Sequence, residues 1–589
     1  MSLLRSILLS ATVMSTVSTA FAAGTIEFSP VAVPTEDASK RLVTVSQSVK
    51  IDGAEHAISW NTIARSGQKI GEGIFGSILN SSGAAIYGKD GKLTISDAAD
   101  FTSILPIGGK LYSVTHFEAR PAAMYLSELA QDKDGKLTSL STRAIDFSSI
   151  GGLWNPCAGS VTPWNTHLGS EEYPPDARSV EAAVTYADLD KEMLEMAEYF
   201  GVNAAIAPIA AFKTAFQPYK YGFPVEVTIS DKGETAVAKH YAMGRVAVEL
   251  ATIMPDKKTA YISDDGLNTG FYRFVADKEG DLTSGQLFAA KWTQTSADGG
   301  GNADISWVDL GHANDAEIAT ALKFGIKFSD MFDSAKFKDD GSCPEGYKST
   351  NAEGRAECLK VKKGMEAFAS RLETRRYASM LGATTEFRKM EGQAFDNEGK
   401  RLFLSMTEIS NGMEDNIKDG KFDKGGRNDV KLAKNPCGAV YELPMDASYT
   451  ITSARAFIAG KPNEYKEGPY KGQTCDIDGI ANPDNLTFIP GYNTLIVGED
   501  TGTGHQNDAT WSVNAETKAM TRITTTPYGA ENTSVDWYRD INGFAYLMTV
   551  VQHPYGESDE DKLQNPDDAR AYVGYIGPFP AFKKQASAQ

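Results

Sequence analysis

The chain has 589 residues and a formal net charge of −19, with 58 Lys and Arg against 77 Asp and Glu. So acidic a composition argues against a nucleic-acid partner, because phosphate backbones are bound by clustered basic residues. Hydrophobic residues at 41% and aromatic residues at 10% suffice for a folded core and exclude wholesale disorder. The 54 Gly against 24 Pro favour many turns, so the composition predicts one large β-rich body.

The first 22 residues have the pattern of a secretory signal peptide. One charge, Arg5, precedes an apolar stretch over residues 7–17, and Ala20-Phe21-Ala22 forms an A-x-A cleavage site. The apolar stretch is shorter than the roughly 20 residues that span a bilayer. We therefore expect residues 1–22 to be removed and residues 23–589 to form one exported domain, periplasmic or secreted, with no membrane anchor.

Hairpin signals then recur along the chain. Gly-containing polar turns precede β-prone runs after Lys89, Lys133, Lys278 and Asn397. Two segments, 179–200 and 363–381, instead have apolar residues at helical spacing and predict helices. We expect an all-β, closed antiparallel architecture, a β-propeller, because this fold accommodates many short strands without long exposed edges. Helical and loop insertions are expected near residues 179–201 and 335–381.

The five cysteines divide into four and one. Cys343 and Cys358 lie in one polar loop-like stretch, and Cys437 and Cys475 flank another. In an oxidising compartment these four predict two disulfides, with the local pairing favoured and other pairings left open. Cys157 then remains as a single thiol.

Predicted strand ends carry carboxylates beside glycines, turns or other polar residues. These ends are His116-Phe117-Glu118, Ser170-Glu171-Glu172, Val248-Glu249, Asp264-Asp265, Lys389-Met390-Glu391, Pro483-Asp484, Glu499-Asp500 and Ala530-Glu531. Each blade of a propeller contributes residues to one axial mouth, so carboxylates far apart in sequence can share a site. Ca²⁺ takes about six to eight oxygen ligands, and a nearby thiolate suggests a softer metal such as iron. Taken singly, each carboxylate is more simply explained as a solvated surface charge.

The segment CAGSVTPWNTHLGSEE, residues 157–172, resembles the Cys-Ala-Gly, Thr-Pro-Trp and Glu-Glu signature of PhoX-type alkaline phosphatases. The stretch GRVAVELATI, followed by YISDDGLNTGFYRFV, resembles the next elements of that family. EFRKMEGQAFD, PDNLTFIP, YGAENTS and VVQHPYGES are similar to its later elements, and all of them keep the family's order. The resemblance extends over about residues 43–557, nearly the whole chain after the leader.

This resemblance implies a six-bladed β-propeller that hydrolyses phosphomonoesters with a mixed Fe³⁺ and Ca²⁺ cluster, in which a cysteine thiolate bridges the irons. Carried over position by position, Cys157 would be the bridging ligand. The carboxylate ligands of iron or calcium would be Glu118, Glu249, Glu391, Asp484 and Glu531, with Glu171 and Glu172 as calcium contacts. Arg388 or Lys389 falls where the family places a phosphate-binding Arg, and the sequence leaves both open.

Three features depart from the family. The leader has a single Arg5 instead of a twin-Arg signal, His116-Phe117-Glu118 replaces an Asn-His-Glu element, and the four additional cysteines lie outside the shared signature. The sequence has no G-x-S-x-G motif and no H-E-x-x-H pair, which disfavours a serine hydrolase or a zinc protease. We expect a monomer that acts on small phosphoesters. The alternatives are a phosphodiesterase on the same scaffold and a non-enzymatic, calcium-stabilised propeller that binds partners or glycans.

Overall fold

A computed structural model describes residues 24–416 and 422–582. These residues are mostly β, with 43% in strands and 14% in helices. The predicted signal peptide lies outside the described residues. Among the residues described, no helix is long and apolar enough to cross a membrane.

The described residues contain five larger antiparallel sheets that follow one another along the chain. We number the two four-stranded parts of the nine-stranded one as sheets 3 and 4, which gives sheets 1 to 6. Sheet 1 contains Ala99–Ile107, Lys110–Phe117, Ala123–Gln131 and Leu137–Ala144. Sheet 2 contains Ser160–Val161, His167–Gly169, Val225–Ile229 and Thr235–Lys239. Sheet 3 contains Val248–Ile253, Thr259–Asp264, Tyr272–Lys278 and Asp281–Ser296.

The remaining three sheets come from the second half of the chain, and the last two also take strands from its beginning. Sheet 4 contains Met390–Asp396, Arg401–Met406, Ala439–Pro444 and Ser453–Ala459. Sheet 5 contains Pro483–Ile489, Thr494–Glu499, Ala509–Asn514 and Met520–Thr525, with Thr44–Val45 at its edge. Sheet 6 contains Glu531–Ile541, Phe544–Gln552, Tyr572–Pro580 and Ser59–Arg65.

The sheets are arranged in a ring. Moving around it, the first strand of each sheet contacts the first strand of the next, except that sheet 2 meets sheet 1 through its second strand. Pairing of Ser59–Arg65 with Tyr572–Pro580 joins the beginning of the described chain to its end. This arrangement confirms the predicted all-β, propeller-type class. The count of six blades stays a prediction, because Asn302–Asn314 joins sheets 3 and 4 into one nine-stranded sheet.

Apolar side chains fill the spaces between neighbouring sheets. In Arg401–Met406, Leu402 and Leu404 pack towards sheet 3, whereas Phe403 stacks on Phe488 of sheet 5 with ring centroids 5.8 Å apart. Successive side chains of a strand point to opposite faces, so a strand between two sheets is buried on both. The nearly continuous apolar run RLFLSM is therefore what this position requires.

Helical insertions occur where helical spacing predicts them, but the helices are broken. The first group is Ala177–Ala182, Lys191–Tyr199 and Ile209–Ala215. The second group is Asp315–Lys323, Phe328–Met331, Glu366–Leu372 and Thr374–Leu381. The segment 179–200 is helical at Ala177–Ala182 and at Lys191–Tyr199. Between these helices the Asp188 carboxylate accepts the backbone N–H groups of Val184 and Thr185 and stabilises a turn.

Small sheets and two disulfides complete the fold. The remaining strands are Ile26–Phe28, Ser48–Ile51, Ala54–Ala57, Lys69–Ile70, Gly73–Ile74, Leu267–Thr269, Phe332–Ala335, Lys348–Ala352, Arg355–Val361 and Phe387–Arg388. Cys343 is bonded to Cys358 and Cys437 to Cys475, which confirms the local pairing. Cys157 is a free thiol.

Candidate metal centre

Carboxylates occupy equivalent positions at the start of the innermost strands. In sheets 1, 3, 4, 5 and 6 the first or second residue of the first strand is Asp100, Glu249, Glu391, Asp484 or Glu531. In the first four of these sheets the register with the second strand shifts across the carboxylate position. Such bulges redirect side chains, and here they bring acidic groups from separate sheets to one end of the ring.

The second strands supply a further set of polar groups at the same end. Glu118, Asp265, Asp500 and His553 each directly follow the residue that pairs with the start of the inner strand. In sheet 4 the corresponding residue is Thr407, whose Oγ1 donates to Oε1 of Glu391 over 3.0 Å. The shared strand register therefore produces two layers of ligand-type residues. The first layer lies at the start of the inner strands, and the second layer follows the second strands.

Sheet 2 contributes through the loops at its strand ends. Cys157 precedes its first strand and Glu172 follows its second. Hydrogen bonds hold these two loops together, because the Cys157 N–H donates to Ser170 Oγ over 3.0 Å and the Glu172 N–H donates to the Asn155 carbonyl over 2.9 Å. The free thiol therefore enters the same acidic region.

Three groups of potential ligand atoms are contiguous, with atoms in each group lying within 4.8 Å of one another. We call the residues of these groups the acidic cluster. The groups are Asp100–Glu118–Cys157, Cys157–Glu172–Glu249 and Glu249–Glu391–Asp484. Cys157 belongs to the first two groups and Glu249 to the last two, so both residues can bridge neighbouring cations.

Burial and mutual repulsion perturb the carboxyl groups of this region. Burial and the charge of Glu118 raise the pKa of Asp100 to about 8, and burial with the charge of Asp500 raises the pKa of Asp484 to about 7. The pKa of Glu249 is raised well above its ordinary value by burial and by Glu391. So many carboxylates cannot all be ionised together unless positive charge is supplied.

Unpartnered oxygen atoms test whether cations fit here. Glu249 is fully buried, yet neither of its carboxylate oxygens has a hydrogen-bond partner within the described part of the chain. Oδ1 of Asp265 is likewise buried and without such a partner. Buried polar atoms are ordinarily satisfied, and a buried carboxylate is costly unless it is paired or binds a metal. The residues therefore fit cation binding.

The two candidate phosphate-binding residues point to different surroundings. Nζ of Lys389 lies 3.3 Å from Asp500 and 3.7 Å from Glu391, next to the acidic cluster. Burial would lower the pKa of Lys389, but Asp500 and Glu391 raise it well above its usual value. Nε of Arg388 instead donates to Glu408 over 2.5 Å. The structure thus brings Lys389 to the cluster and pairs Arg388 elsewhere.

Glu171 is not brought into the acidic cluster, in contrast to its expected calcium contact. It is fully buried and forms a 2.8 Å ion pair with Nζ of Lys239. It also accepts backbone N–H groups from Trp154 and Gly222, each over 3.0 Å. These three donors satisfy its charge within the protein, so Glu171 anchors the loop that carries Cys157.

Two buried histidines, His116 and His167, form a hydrogen-bonded chain that ends at the Cys157 carbonyl. Nδ1 of His116 donates to the Cys157 carbonyl over 2.6 Å, because a carbonyl oxygen can only accept. With burial lowering the pKa of His116 to about 4, its Nε2 is the acceptor for the His167 Nε2–H at 2.6 Å. Ser103 Oγ then donates to Nδ1 of His167 over 2.8 Å. Both rings are neutral, and their tautomers are fixed in one chain.

Backbone strain is found at residues bordering the site. Asn155, Tyr173, Lys389 and His553 have φ values of 43°, 43°, 47° and 31°. Left-handed conformations cost roughly 1–3 kcal/mol for non-glycine residues and persist only where surrounding contacts impose them. Nδ2 of Asn155, for example, donates to Glu118 over 3.0 Å and to Glu172 over 3.2 Å.

Sequence reasoning left Asp100, Asp265 and Asp500 out of the predicted ligands. Asp265 and Asp500 were visible as polar strand ends, and both follow second strands as Glu118 does. Asp100 sits in the apolar-looking run DAADFTSIL, where no turn glycine marks it. The signal that identifies it is its position in its strand, which matches that of Glu249, Glu391 and Asp484.

Comparison with known proteins identifies a protein family and similar solved structures. A family model described as alkaline phosphatase PhoX matches residues 120–546. No curated protein matches the chain. The structure of PhoX from Pseudomonas fluorescens in complex with vanadate, a transition-state analogue, is 18% identical, with a TM-score of 0.60, and the match covers 94% of this chain and 98% of that chain. At this sequence identity, the structural match shows a shared fold alone.

A calcium structure of a family AA12 carbohydrate-active enzyme from Trichoderma reesei is 9% identical, with a TM-score of 0.31, over 87% of this chain and 99% of that chain. This lower structural similarity has no bearing on function. The match to the family model, by contrast, spans well over half of the sequence. The chain therefore belongs to the PhoX alkaline phosphatase family and is a phosphoester hydrolase.

Proposed function

We propose that this protein is an exported phosphomonoesterase whose acidic cluster holds iron and calcium together. The observation that carries the proposal is the sharing of ligands, since Cys157 and Glu249 each belong to two adjacent groups of potential ligand atoms. A run of linked sites with one thiolate and many carboxylates suits a multinuclear, mixed centre.

The donor set supports iron beside the thiolate and calcium among the remaining carboxylates. Cys157, with Asp100 and Glu118 on one side and Glu172 and Glu249 on the other, offers a thiolate, which suits iron and not Ca²⁺. The surrounding carboxylates suit the hard ion Fe³⁺. Glu391 and Asp484, which group with Glu249, offer only oxygen, and so does Glu531 at the start of the inner strand of sheet 6. Oxygen ligands favour Ca²⁺. When bound, such cations supply Lewis acidity and offset the charge of a phosphoryl group.

Residues of the chain itself position the substrate. A phosphomonoester is doubly anionic and the protein is acidic overall, so Lys389 is suited to bind a phosphoryl oxygen as a point charge. Its ammonium is held beside Asp500 and Glu391 rather than in solvent, which fixes its direction. Asn155 links Glu118 and Glu172 by donating to both, and this orients the two carboxylates beside Cys157.

Export fits the covalent structure. The two disulfides close loops of the insertion and of sheet 4, and such bonds persist in oxidising compartments. We infer that the chain is secreted or periplasmic and works on small phosphoesters as a monomer.

Chelation tests the proposal. Treating the metallated protein with a calcium chelator should abolish p-nitrophenyl phosphate hydrolysis before it unfolds the protein, and added calcium should restore the activity. Glu391→Gln and Glu531→Gln should reproduce the chelated state, because each removes an oxygen ligand. The exposed Glu560 gives the matched control, and Glu560→Gln should behave as wild type.

The outcomes separate the possible functions. Monoesterase activity that is indifferent to chelators would contradict the metal mechanism. A preference for a diester substrate would indicate a phosphodiesterase on this scaffold. Metal analysis should find iron and calcium together in the purified protein, and a fully metallated protein without esterase activity would favour a binding module.

A further inference from the structure

A cavity of about 340 Å³ adjoins the acidic cluster. Asp265 of the second ligand layer forms part of its wall, and Tyr173 lies beside it. The Tyr173 hydroxyl donates to Oδ2 of Asp265. Asp265 thus belongs both to the second ligand layer and to the wall of this cavity.

Tyr173 presents an aromatic surface at this position. The residue is 41% exposed, although its hydroxyl is engaged and its backbone carbonyl accepts the Trp154 indole N–H over 2.9 Å. Its φ of 43° is costly for an aromatic residue and is maintained by these contacts. Contacts thus hold Tyr173 at its hydroxyl and at its backbone while the residue stays partly exposed, and an aromatic side chain so placed can stack a planar ligand.

The charges around the cavity indicate which ligands it excludes. The three arginines in its wall are each already paired: Arg388 with Glu408, Arg375 with Asp264, and Arg355 with Asp176. The wall also contains five carboxylates, so acidic residues outnumber basic ones there and a second anionic group is disfavoured. Met193 and Leu267 add apolar surface next to Tyr173.

We propose that Tyr173 is a specificity-determining residue that stacks the alcohol portion of the substrate, and that the preferred substrates are phosphomonoesters of uncharged alcohols carrying a planar ring. This inference rests on the proposed function, because it takes the phosphoryl group to bind at the acidic cluster. It adds the chemical class of the group that is released.

Two substitutions isolate the ring from the hydroxyl. Tyr173→Phe and Tyr173→Ala both lose the hydrogen bond to Asp265, and they differ only in the ring. Calorimetry on the metallated proteins should measure binding of phenylphosphonate, which has a ring, and methylphosphonate, which does not. Phenylphosphonate should bind roughly threefold to tenfold more tightly to the Phe variant than to the Ala variant. Methylphosphonate should bind both equally.

Steady-state kinetics should follow the same pattern. The ratio of kcat/KM for phenyl phosphate to kcat/KM for glycerol phosphate should be lower in Tyr173→Ala than in Tyr173→Phe, and the change should lie mainly in KM. Tyr87 is 60% exposed and lies outside the cavity, so Tyr87→Ala should change neither the ratio of the kcat/KM values nor the relative affinity for the two phosphonates. Equal phenylphosphonate affinities in the Phe and Ala variants would overturn the inference, as would equal losses for both phosphonates. Ring-dependent binding without ester turnover would leave this inference standing and refute the proposed function.

Discussion

Two buried charged regions of this protein are organised in opposite ways. In the arginine network beside the second insertion, formed by Arg375, Arg376 and their partners, every guanidinium faces carboxylates. Nε of Arg375 lies 2.8 Å from Asp264, and Arg376 lies 2.7 Å from Glu357 and 2.6 Å from Glu373. In the acidic cluster, both oxygens of Glu249 lack a hydrogen-bond partner in the described part of the chain.

The difference shows which region is complete without a ligand. A buried charge is tolerated when its partner is also protein, so the arginine network needs no ligand to balance its charge, although Nη2 of Arg376 has no hydrogen-bond partner in the described part of the chain. The acidic cluster raises the pKa values of its own carboxyls and is complete only with cations. Neighbouring residues divide between the two modes, because Asp264 faces Arg375 whereas Asp265 faces Glu172 and Tyr173.

The largest expected effect is on the bridging position of the acidic cluster. Cys157→Ser should fold normally but lose iron and any charge-transfer colour, because an alcohol is a poor bridging ligand for ferric iron. Monoester hydrolysis should fall by roughly 100-fold or more. The measurements are iron content, the visible absorption spectrum and turnover of p-nitrophenyl phosphate. Full iron content with full turnover would show that Cys157 is a spectator.

Paired substitutions in the two regions should change stability in opposite directions. Asp264→Asn leaves Arg375 partly unpaired in the interior, so it should lower the free energy of unfolding by about 3–5 kcal/mol. Glu249→Gln removes an unpartnered buried carboxylate, so it should raise the stability of the metal-free protein at neutral pH while abolishing activity. Denaturant unfolding of the chelated proteins measures both. Destabilisation of the metal-free protein by Glu249→Gln would mean that this carboxylate has a structural partner.

The fold class could be predicted because it depends on local patterns. Turn glycines and β-prone runs such as RLFLSM mark strands whatever their partners are. Glu118, Glu249 and Asp484 could be placed at the site because each stands at a strand end, and the family resemblance supplied their order. The break at Asp188 within the segment of helical spacing could not be predicted, because it depends on a contact between a side chain and the backbone that helical periodicity does not register.

Other features depend on pairings that no local pattern contains. Glu171 and Glu172 are adjacent in one Glu-Glu motif, and only the position of Lys239, in a distant strand, assigns Glu171 to the interior. Asp100 is recognised only once the bulged register of the inner strands is known. Where the sequence left Arg388 and Lys389 open, their partners Glu408 and Asp500 separate them.

The Glu171 pair gives a smaller test of the same contrast. Glu171→Gln leaves Lys239 buried without a full countercharge, so we expect a loss of about 2 kcal/mol in the free energy of unfolding. The bound metals should remain, because Glu171 is satisfied by Lys239 and two backbone N–H groups. Glu172→Gln should do the reverse, with lower metal content and little change in the stability of the metal-free protein. Loss of calcium from Glu171→Gln would return this residue to the ligand set.

The smallest expected effect concerns a third buried pair, His240 and Glu226, in which the titration of His240 changes the stability of the protein. Nε2 of His240 lies 2.8 Å from Glu226. Burial would lower the pKa of His240, but Asp315 and Glu226 raise it to about 9. Because the folded pKa exceeds the ordinary value of about 6.5, this pair stabilises the protein fully below pH 6.5 and loses its contribution as the pH rises towards 9.

The melting temperature of the wild type should therefore fall by a few degrees more between pH 6.5 and 9 than that of Glu226→Gln, in which the main charge partner of His240 is gone. Glu226 itself, with its pKa lowered to about 2 by hydrogen bonding and by the charge of His240 against the effect of burial, does not titrate in this range. Parallel curves for the two proteins would show that His240 is neutral throughout and that this pair, unlike the arginine network, is not ionic.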